Sequence, residues 1–242
     1  MENSEYKTVD YVFENEISFE MLVNELHNFM KEISLLSVIK CNGQSFLLKK
    51  VINKNVFDLY FNVDYYHKER FKIVLKDNNI YGFWSNKKYI NANQYEQKTN
   101  KIYCDNLLRE INNTKFITSI LTKDNYKYVY YNNNISISII INRCWFFDPE
   151  NPQDGEMHVY IELESDSEMI DLLDVIDEND VLLKNKYRFI PLKYRRNNKY
   201  IIGKKYINKD FYLRFNNIED MKQEFKNYTN IIDNIKDFNT QN

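Results

Sequence analysis

The stretch Met157-His158-Val159-Tyr160-Ile161-Glu162-Leu163-Glu164 alternates without a break. Val159, Ile161 and Leu163 fall on one side and Tyr160, Glu162 and Glu164 on the other, the period-two pattern of a strand with one face in a core. The same spacing puts two carboxylates on one face, near enough to share a hard divalent cation, which takes oxygen ligands. The pair also suits the solvated face of a half-buried strand, so the pattern alone decides the strand and not its chemistry.

More strands lie upstream. Tyr126–Tyr131 and Ile135–Ile141 enclose Asn132-Asn133-Asn134, residues that tolerate positive φ and suit a hairpin turn. Asp148–Gly155 holds two of the three prolines and reads as a surface loop. Ser45–Ile52 and Phe57–Tyr66 are β-branched and aromatic-rich, the second setting Phe57, Leu59, Phe61 and Val63 against Asp58, Tyr60 and Asn62. Arg70–Lys76 and Ile80–Trp84 flank a second Asn-rich turn, and Arg70, Lys72 and Lys76 share a face opposite Phe71, Ile73 and Leu75. At the start, Thr8–Glu16 reads as a strand bearing Asp10, Glu14 and Glu16 on one side.

Helical spacing is found in three places. Phe19, Leu22, Leu26, Phe29, Met30 and Ile33 predict a helix over residues 17–34, a short helix fits Asp105–Ile111, and Asn217 caps a final helix carrying Ile218, Met221, Phe225, Tyr228 and Ile232. Residues 165–180 are a further helical candidate, and Lys186–Tyr194, Lys199–Ile207 and Phe211–Phe215 read as strands. With no repeat and no linker, the expectation is a single α+β domain spanning 1–242, predominantly antiparallel sheet, with N-terminal, mid-chain and C-terminal helices.

Composition narrows the function classes. The chain has 242 residues with 33 basic and 35 acidic side chains, a balance that argues against general DNA binding or a membrane-surface role. Three cysteines are too few and too scattered for a disulfide framework. No apolar run approaches the roughly 20 residues that span a bilayer, and the N-terminus lacks the order of a signal peptide, so a soluble, cytoplasmic protein is expected (host cytoplasm if viral). Abundant Asn, Lys, Ile and Tyr with only 4 Gly mark an A+T-rich genome, which weakens any single Lys as a functional signal. Four glycines cannot build a phosphate loop, and neither paired-Cys zinc spacing, His-Glu-x-x-His nor Gly-x-Ser-x-Gly occurs.

The acidic strands and the basic strand are complementary if they line one cavity, carboxylates toward a metal and cations toward phosphate. The helix at Leu107–Ile111, Lys123 and Lys127 on the next strand, the Asn132–Asn134 hairpin and Ile161-Glu162-Leu163-Glu164 together resemble the triphosphate tunnel metalloenzymes (CYTH-like), over residues 105–175. That resemblance implies a tunnel-like β-barrel with charged side chains inside. It also implies a metal-dependent phosphohydrolase for a nucleoside, inorganic or RNA 5′-triphosphate. Asp10, Glu14, Glu162 and Glu164 would hold Mg²⁺ or Mn²⁺, and Arg70, Lys72, Lys123 and Lys127 would clamp phosphate oxygens. No catalytic residue is assigned. The opening strand departs from the family's Glu-x-Glu-x-Lys pattern: aligned on Asp10, the second acid is Val12 and the basic residue is Glu14. Asp77–Phe83 also loosely resembles the opening sheet of ribosome-inactivating N-glycosidases, whose later Glu-Ala-x-x-Arg helix is absent. The alternative to an enzyme is a noncatalytic interaction or immunity protein, viral or plasmid-encoded, with a protein partner and with the charged strands as its exterior.

Overall fold

Antiparallel pairing organises the chain. The structure, a computed structural model, describes residues 7–13, 19–63, 67–76, 79–89, 95–102, 104–113, 117–167, 169–182, 189–191, 199–207 and 211–237. Its strands are β1 (Lys7–Phe13), β2 (Val38–Cys41), β3 (Gln44–Val63), β4 (His67–Lys76), β5 (Asn79–Tyr89), β6 (Tyr95–Ile102), β7 (Ser119–Asn132), β8 (Ile135–Asp148), β9 (Asn151–Ser165) and β10 (Phe189–Pro191). They form a ten-stranded sheet in the order β10-β1-β9-β8-β7-β3-β4-β5-β6, with β2 added on β3. The path is open: the sheet does not close into the tunnel-like barrel that the family resemblance implies. The α+β class and the terminal helices are as expected.

The Met157–Glu164 alternation sits in β9, with Val159, Ile161 and Leu163 buried at 1%, 2% and 1% exposure. They belong to an outer-face core with Ile137, Ile139, Ile141, Tyr128 and Tyr130, covered by Leu26, Phe29 and Ile33 of α1 (Phe19–Leu35). Further along the same face, Phe57, Leu59, Phe61, Phe71 and Ile73 pack against Leu107 and Ile111 of α2 (Cys104–Asn112) and Met221, Phe225 and Tyr228 of α5 (Ile218–Asp237). Asn217 caps α5, its Oδ1 accepting from the Asp220 N–H at 2.9 Å. Between these ends α3 (Leu172–Asp177) is capped by Asp171, whose side chain accepts from the Leu173 N–H. Among the described residues no helix is long and apolar enough to cross a membrane.

Several local expectations are corrected. Ser45–Ile52 and the described part of the expected Phe57–Tyr66 strand, up to Val63, belong to one strand, β3, which pairs with β2, β7 and β4 along its length. The alternation breaks because the pairing with β7 slips between Leu48 and Lys50, leaving Lys49 as a bulge residue. Before the slip Phe46 and Leu48 face the outer core, and after it Phe57, Leu59 and Phe61 do, so the outward residues change from even to odd numbers. The expected Asp148–Gly155 loop is instead a two-residue turn followed by β9 from Asn151, pinned by Trp145 Nε1 donating to the Pro152 carbonyl at 3.1 Å. Gly155 is needed there because a Cβ would strike the Phe146 carbonyl and the Trp145 ring. The expected strand Lys199–Ile207 is α4 (Lys199–Lys204), a helix packed on β7 and β8. Among the described residues of 165–180, the α-helix is confined to α3, and a 3-10 turn starts at Asp180.

Candidate polyanion site

The inner face of the sheet, opposite the two cores, carries the charge. Register fixes which residues share it: Tyr60 pairs with Arg70 and Asp58 with Lys72 across β3 and β4, while Val56 pairs with Lys123 and Lys54 with Asn125 across β3 and β7. Lys123 lies opposite Cys144, and Ile140 of β8, opposite Lys127, is itself opposite Glu162. In antiparallel sheet, directly opposed residues point the same way. Arg70, Lys72, Lys123, Lys127, Glu162 and Glu164 therefore stand on one face.

That face is not an exterior. Side-chain exposure is 4% for Lys123, 14% for Arg70, 18% for Glu162 and 11% for Glu164, which corrects the reading of these strands as a solvated outer surface. At its centre lies Asp58, 0% exposed. Lys123 Nζ donates to Asp58 Oδ2 at 2.7 Å and Arg70 Nη1 to the same oxygen at 3.3 Å. Burial pushes the Asp58 pKa up, but the opposing charges of Lys123, Arg70 and Lys72 outweigh it and hold the carboxyl well below the usual range. Asp58 Oδ1 is buried with no hydrogen-bond partner among the described residues.

Cations exceed anions here. Burial, together with the charges of Arg70 and Lys123, lowers the Lys72 pKa well below the ordinary lysine value, and burial with Lys123 and Lys127 lowers that of Lys54. Neither Lys54 nor Lys72 makes a hydrogen bond or ion pair with a described residue. Lys127 Nζ donates to Glu164 Oε2 at 2.9 Å, and Lys199 Nζ of α4 donates to Glu162 Oε1. Asn125 Nδ2 donates to Asn142 Oδ1 at 2.8 Å in the same layer, leaving Asn142 Nδ2 a buried donor with no described acceptor.

Of the residues expected to hold a metal, Glu162 and Glu164 are two apart on β9, and Asp10 is the register partner of Glu162 on β1. Glu14 lies outside the described residues. Among the described residues no three His, Cys, Asp or Glu side chains gather as a metal centre. Sequence reasoning did not single out Lys54, Asp58 or Lys199. In sequence Asp58 is one member of the polar side of a strand, Lys54 falls between two apparent strands, and Lys199 opens a segment with strand-like composition.

No protein-family model matches the chain, and no curated protein matches it. Among solved structures it is similar to the PH1012 protein from Pyrococcus horikoshii, at 9% identity over 81% of this chain and 98% of that one, TM-score 0.39. It is also similar to a conserved hypothetical protein from Pyrococcus furiosus, at 16% identity over 64% and 77%, TM-score 0.34. A third is the S. pombe Pct1 RNA triphosphatase, at 12% identity over 68% and 72%, TM-score 0.35. Identities and scores this low assign neither a family nor an activity.

Proposed function

We propose that the inner face binds a linear polyphosphate group and that the protein is a divalent-metal-dependent triphosphate hydrolase. One observation carries the binding step: Lys54 and Lys72 are partly buried beside Arg70 and Lys123 on one face, where the lysines and the arginine outnumber the carboxylates Asp58, Glu162 and Glu164. Like charges gathered on one partly buried face raise one another's free energy. A polyanion lying along these side chains supplies the missing counter-charge, and Asn142 Nδ2 offers it a further donor. Asp58 holds Lys123 and Arg70 in place rather than neutralising the whole group.

The donor set at the β1–β9 edge fits a hard cation in kind. Glu162 and Glu164 offer carboxylate oxygens from one face, with Asp10 opposite Glu162 in register. Mg²⁺ or Mn²⁺ held there supplies positive charge against the phosphoryl oxygens and lowers the pKa of water. In this reading Arg70, Lys72, Lys123 and Lys54 bind and orient the phosphates and stabilise charge that develops on leaving-group oxygens. Lys127 and Lys199 pair with the two carboxylates in the absence of a cation.

A second reading is polyanion binding without hydrolysis. It is favoured by one observation, that Glu162 and Glu164 are each already paired with a lysine. Calorimetric titration with tripolyphosphate tests the binding step, and phosphate release with Mg²⁺ or Mn²⁺, stopped by chelator, tests hydrolysis. Binding without metal-dependent release selects the second reading. Absence of binding removes both.

A further inference from the structure

We infer that a groove beside β2 binds an extended, basic segment of a partner protein, which pairs its main chain with Val38. Register shows which backbone groups are on offer. β2 and β3 join through a two-residue turn at Asn42 and Gly43, whose φ values of 51° and 68° suit a tight hairpin. Cys41 and Gln44 close the turn as a hydrogen-bonded pair, so the alternation of an antiparallel ladder makes Ile39 and Phe46 the next such pair and Ser37 and Leu48 the one after. The Leu48 N–H does donate to the Ser37 carbonyl, at 2.8 Å. Val38 and Lys40 therefore turn their N–H and C=O groups away from β3. At Lys40 these groups are taken: its N–H donates to Asn179 Oδ1 at 3.0 Å and its carbonyl accepts from Asn179 Nδ2 at 2.8 Å, as if from a neighbouring strand. At Val38 they have no partner among the described residues, and in front of them lies a cavity of about 520 Å³.

The lining of that cavity says what fits. Leu35, Leu36 and Val181 join Val38 as its apolar wall, and Leu35, at the end of α1, is 76% exposed. Glu32, Glu178 and Asp180 set three carboxylates against one ammonium, that of Lys40. Glu178 also accepts from the Gly43 N–H, at 3.1 Å, which holds it beside the hairpin. The negative field is wider than the cavity: residues 165–180 carry seven Asp or Glu and no Lys or Arg. The Cys41 thiol on β2 registers it, pushed up to about 11 by burial and by the charges of Asp174, Glu178 and Asp171. A strand edge facing a cavity takes an extended chain through main-chain hydrogen bonds, while the side chains it meets choose the sequence. One residue of the guest exchanges N–H and C=O bonds with Val38, an apolar neighbour rests against Leu35 and Val181, and a Lys or Arg answers the carboxylates. Asn179 fixes the register, because it already fills the pairing position at Lys40.

Calorimetry with hexapeptides capped at both ends tests this at one pH and ionic strength. A peptide alternating lysine and valine should bind. Three controls should bind at least about tenfold more weakly: a peptide alternating glutamate and valine, the lysine and valine peptide with methylated main-chain nitrogens, and spermine, which has charge without a main chain. Asp180→Lys should weaken the lysine and valine peptide at least about tenfold. Val38→Pro should do the same, since it removes the outward N–H and leaves the ladder to β3 intact. If Val38→Pro does not fold, Leu35→Glu at its exposed position and the methylated peptide take its place. Absence of binding at millimolar peptide, or binding that Asp180→Lys leaves unchanged, overturns the site. Equal affinity for spermine or for the methylated peptide reduces the contact to charge attraction and overturns pairing with Val38.

Discussion

Asp58 Oδ2 accepts from Lys123 Nζ at 2.7 Å and from Arg70 Nη1 at 3.3 Å, a carboxylate on β3 joining cations from the two strands that flank it. Asp58→Asn keeps the shape and removes the charge. It should destabilise the fold by about 3–5 kcal/mol, because two desolvated cations lose their counter-ion. Chemical denaturation measures this, and a loss under about 1 kcal/mol would show that the cations find water instead. Lys123→Met added to Asp58→Asn should recover part of the loss, as expected for partners in one network.

Lys72→Met separates binding from stability. The apolar side chain fills similar space without an unpaired charge, so the free protein should melt higher than wild type. Tripolyphosphate affinity should fall about tenfold to a hundredfold, the ~1.5–3 kcal/mol of a charge-assisted hydrogen bond. A variant that melts lower and binds equally well contradicts both parts.

The same lysine sets a pH signature. An unfolded lysine titrates near 10.5, and the folded value lies below it through burial and the charges of Arg70 and Lys123. Between the two values the unfolded chain binds the proton and the folded chain does not, so this group's contribution to stability rises with pH across the window. Anion binding runs oppositely and weakens as pH climbs through the folded value. Melting temperature followed from neutral to alkaline pH, in wild type and Lys72→Met, should diverge at low pH and converge as 10.5 is approached.

Glu162→Gln tests the metal edge. Under the hydrolase reading it should abolish metal-dependent phosphate release and the rise in melting temperature on adding Mg²⁺ or Mn²⁺, while leaving the fold intact. Lys199→Met removes the lysine that occupies Glu162 and should enlarge that rise. If neither variant alters the response of the melting temperature to cation, Glu162 is no ligand.

Ile161→Asp addresses the outer core. Ile161 is 2% exposed between Val159 and Leu163, and an aspartate there is buried without a partner. The variant should fail to unfold cooperatively, as circular dichroism during heating would record.

Which parts of this were legible in sequence follows from the range of the interactions. The β9 alternation and the Asn132–Asn134 hairpin were readable because side-chain period and turn chemistry are local; Asn133 does adopt φ of 52°. The helices that cover the outer face were readable from apolar spacing. Helix α4 was not, since Lys199–Lys204 has β-branched isoleucines and is held by contacts to Phe146 and Tyr160, far away in the chain. The basic residues Arg70, Lys72, Lys123 and Lys127 could be named from strand patterns, but their common face depends on register across three strands. Asp58 was hidden for the same reason: one acid among many gains meaning only when Lys123, 65 positions away, points at it.

The slip at Lys49 has a bearing on how such a protein can vary. Upstream of it, Phe46 and Leu48 belong to the α1 core; downstream, Lys54, Asp58 and Tyr60 carry the same even numbering yet lie on the charged face. One amino acid thus acts as a phase switch for the greater part of a 20-residue strand. Removing it would put the parity of the two halves in conflict, so that keeping Phe46 and Leu48 inside would turn Lys54 and Asp58 toward α5. Substitutions along β3 act one side chain at a time, whereas a single-codon deletion at Lys49 would exchange the site and the core together.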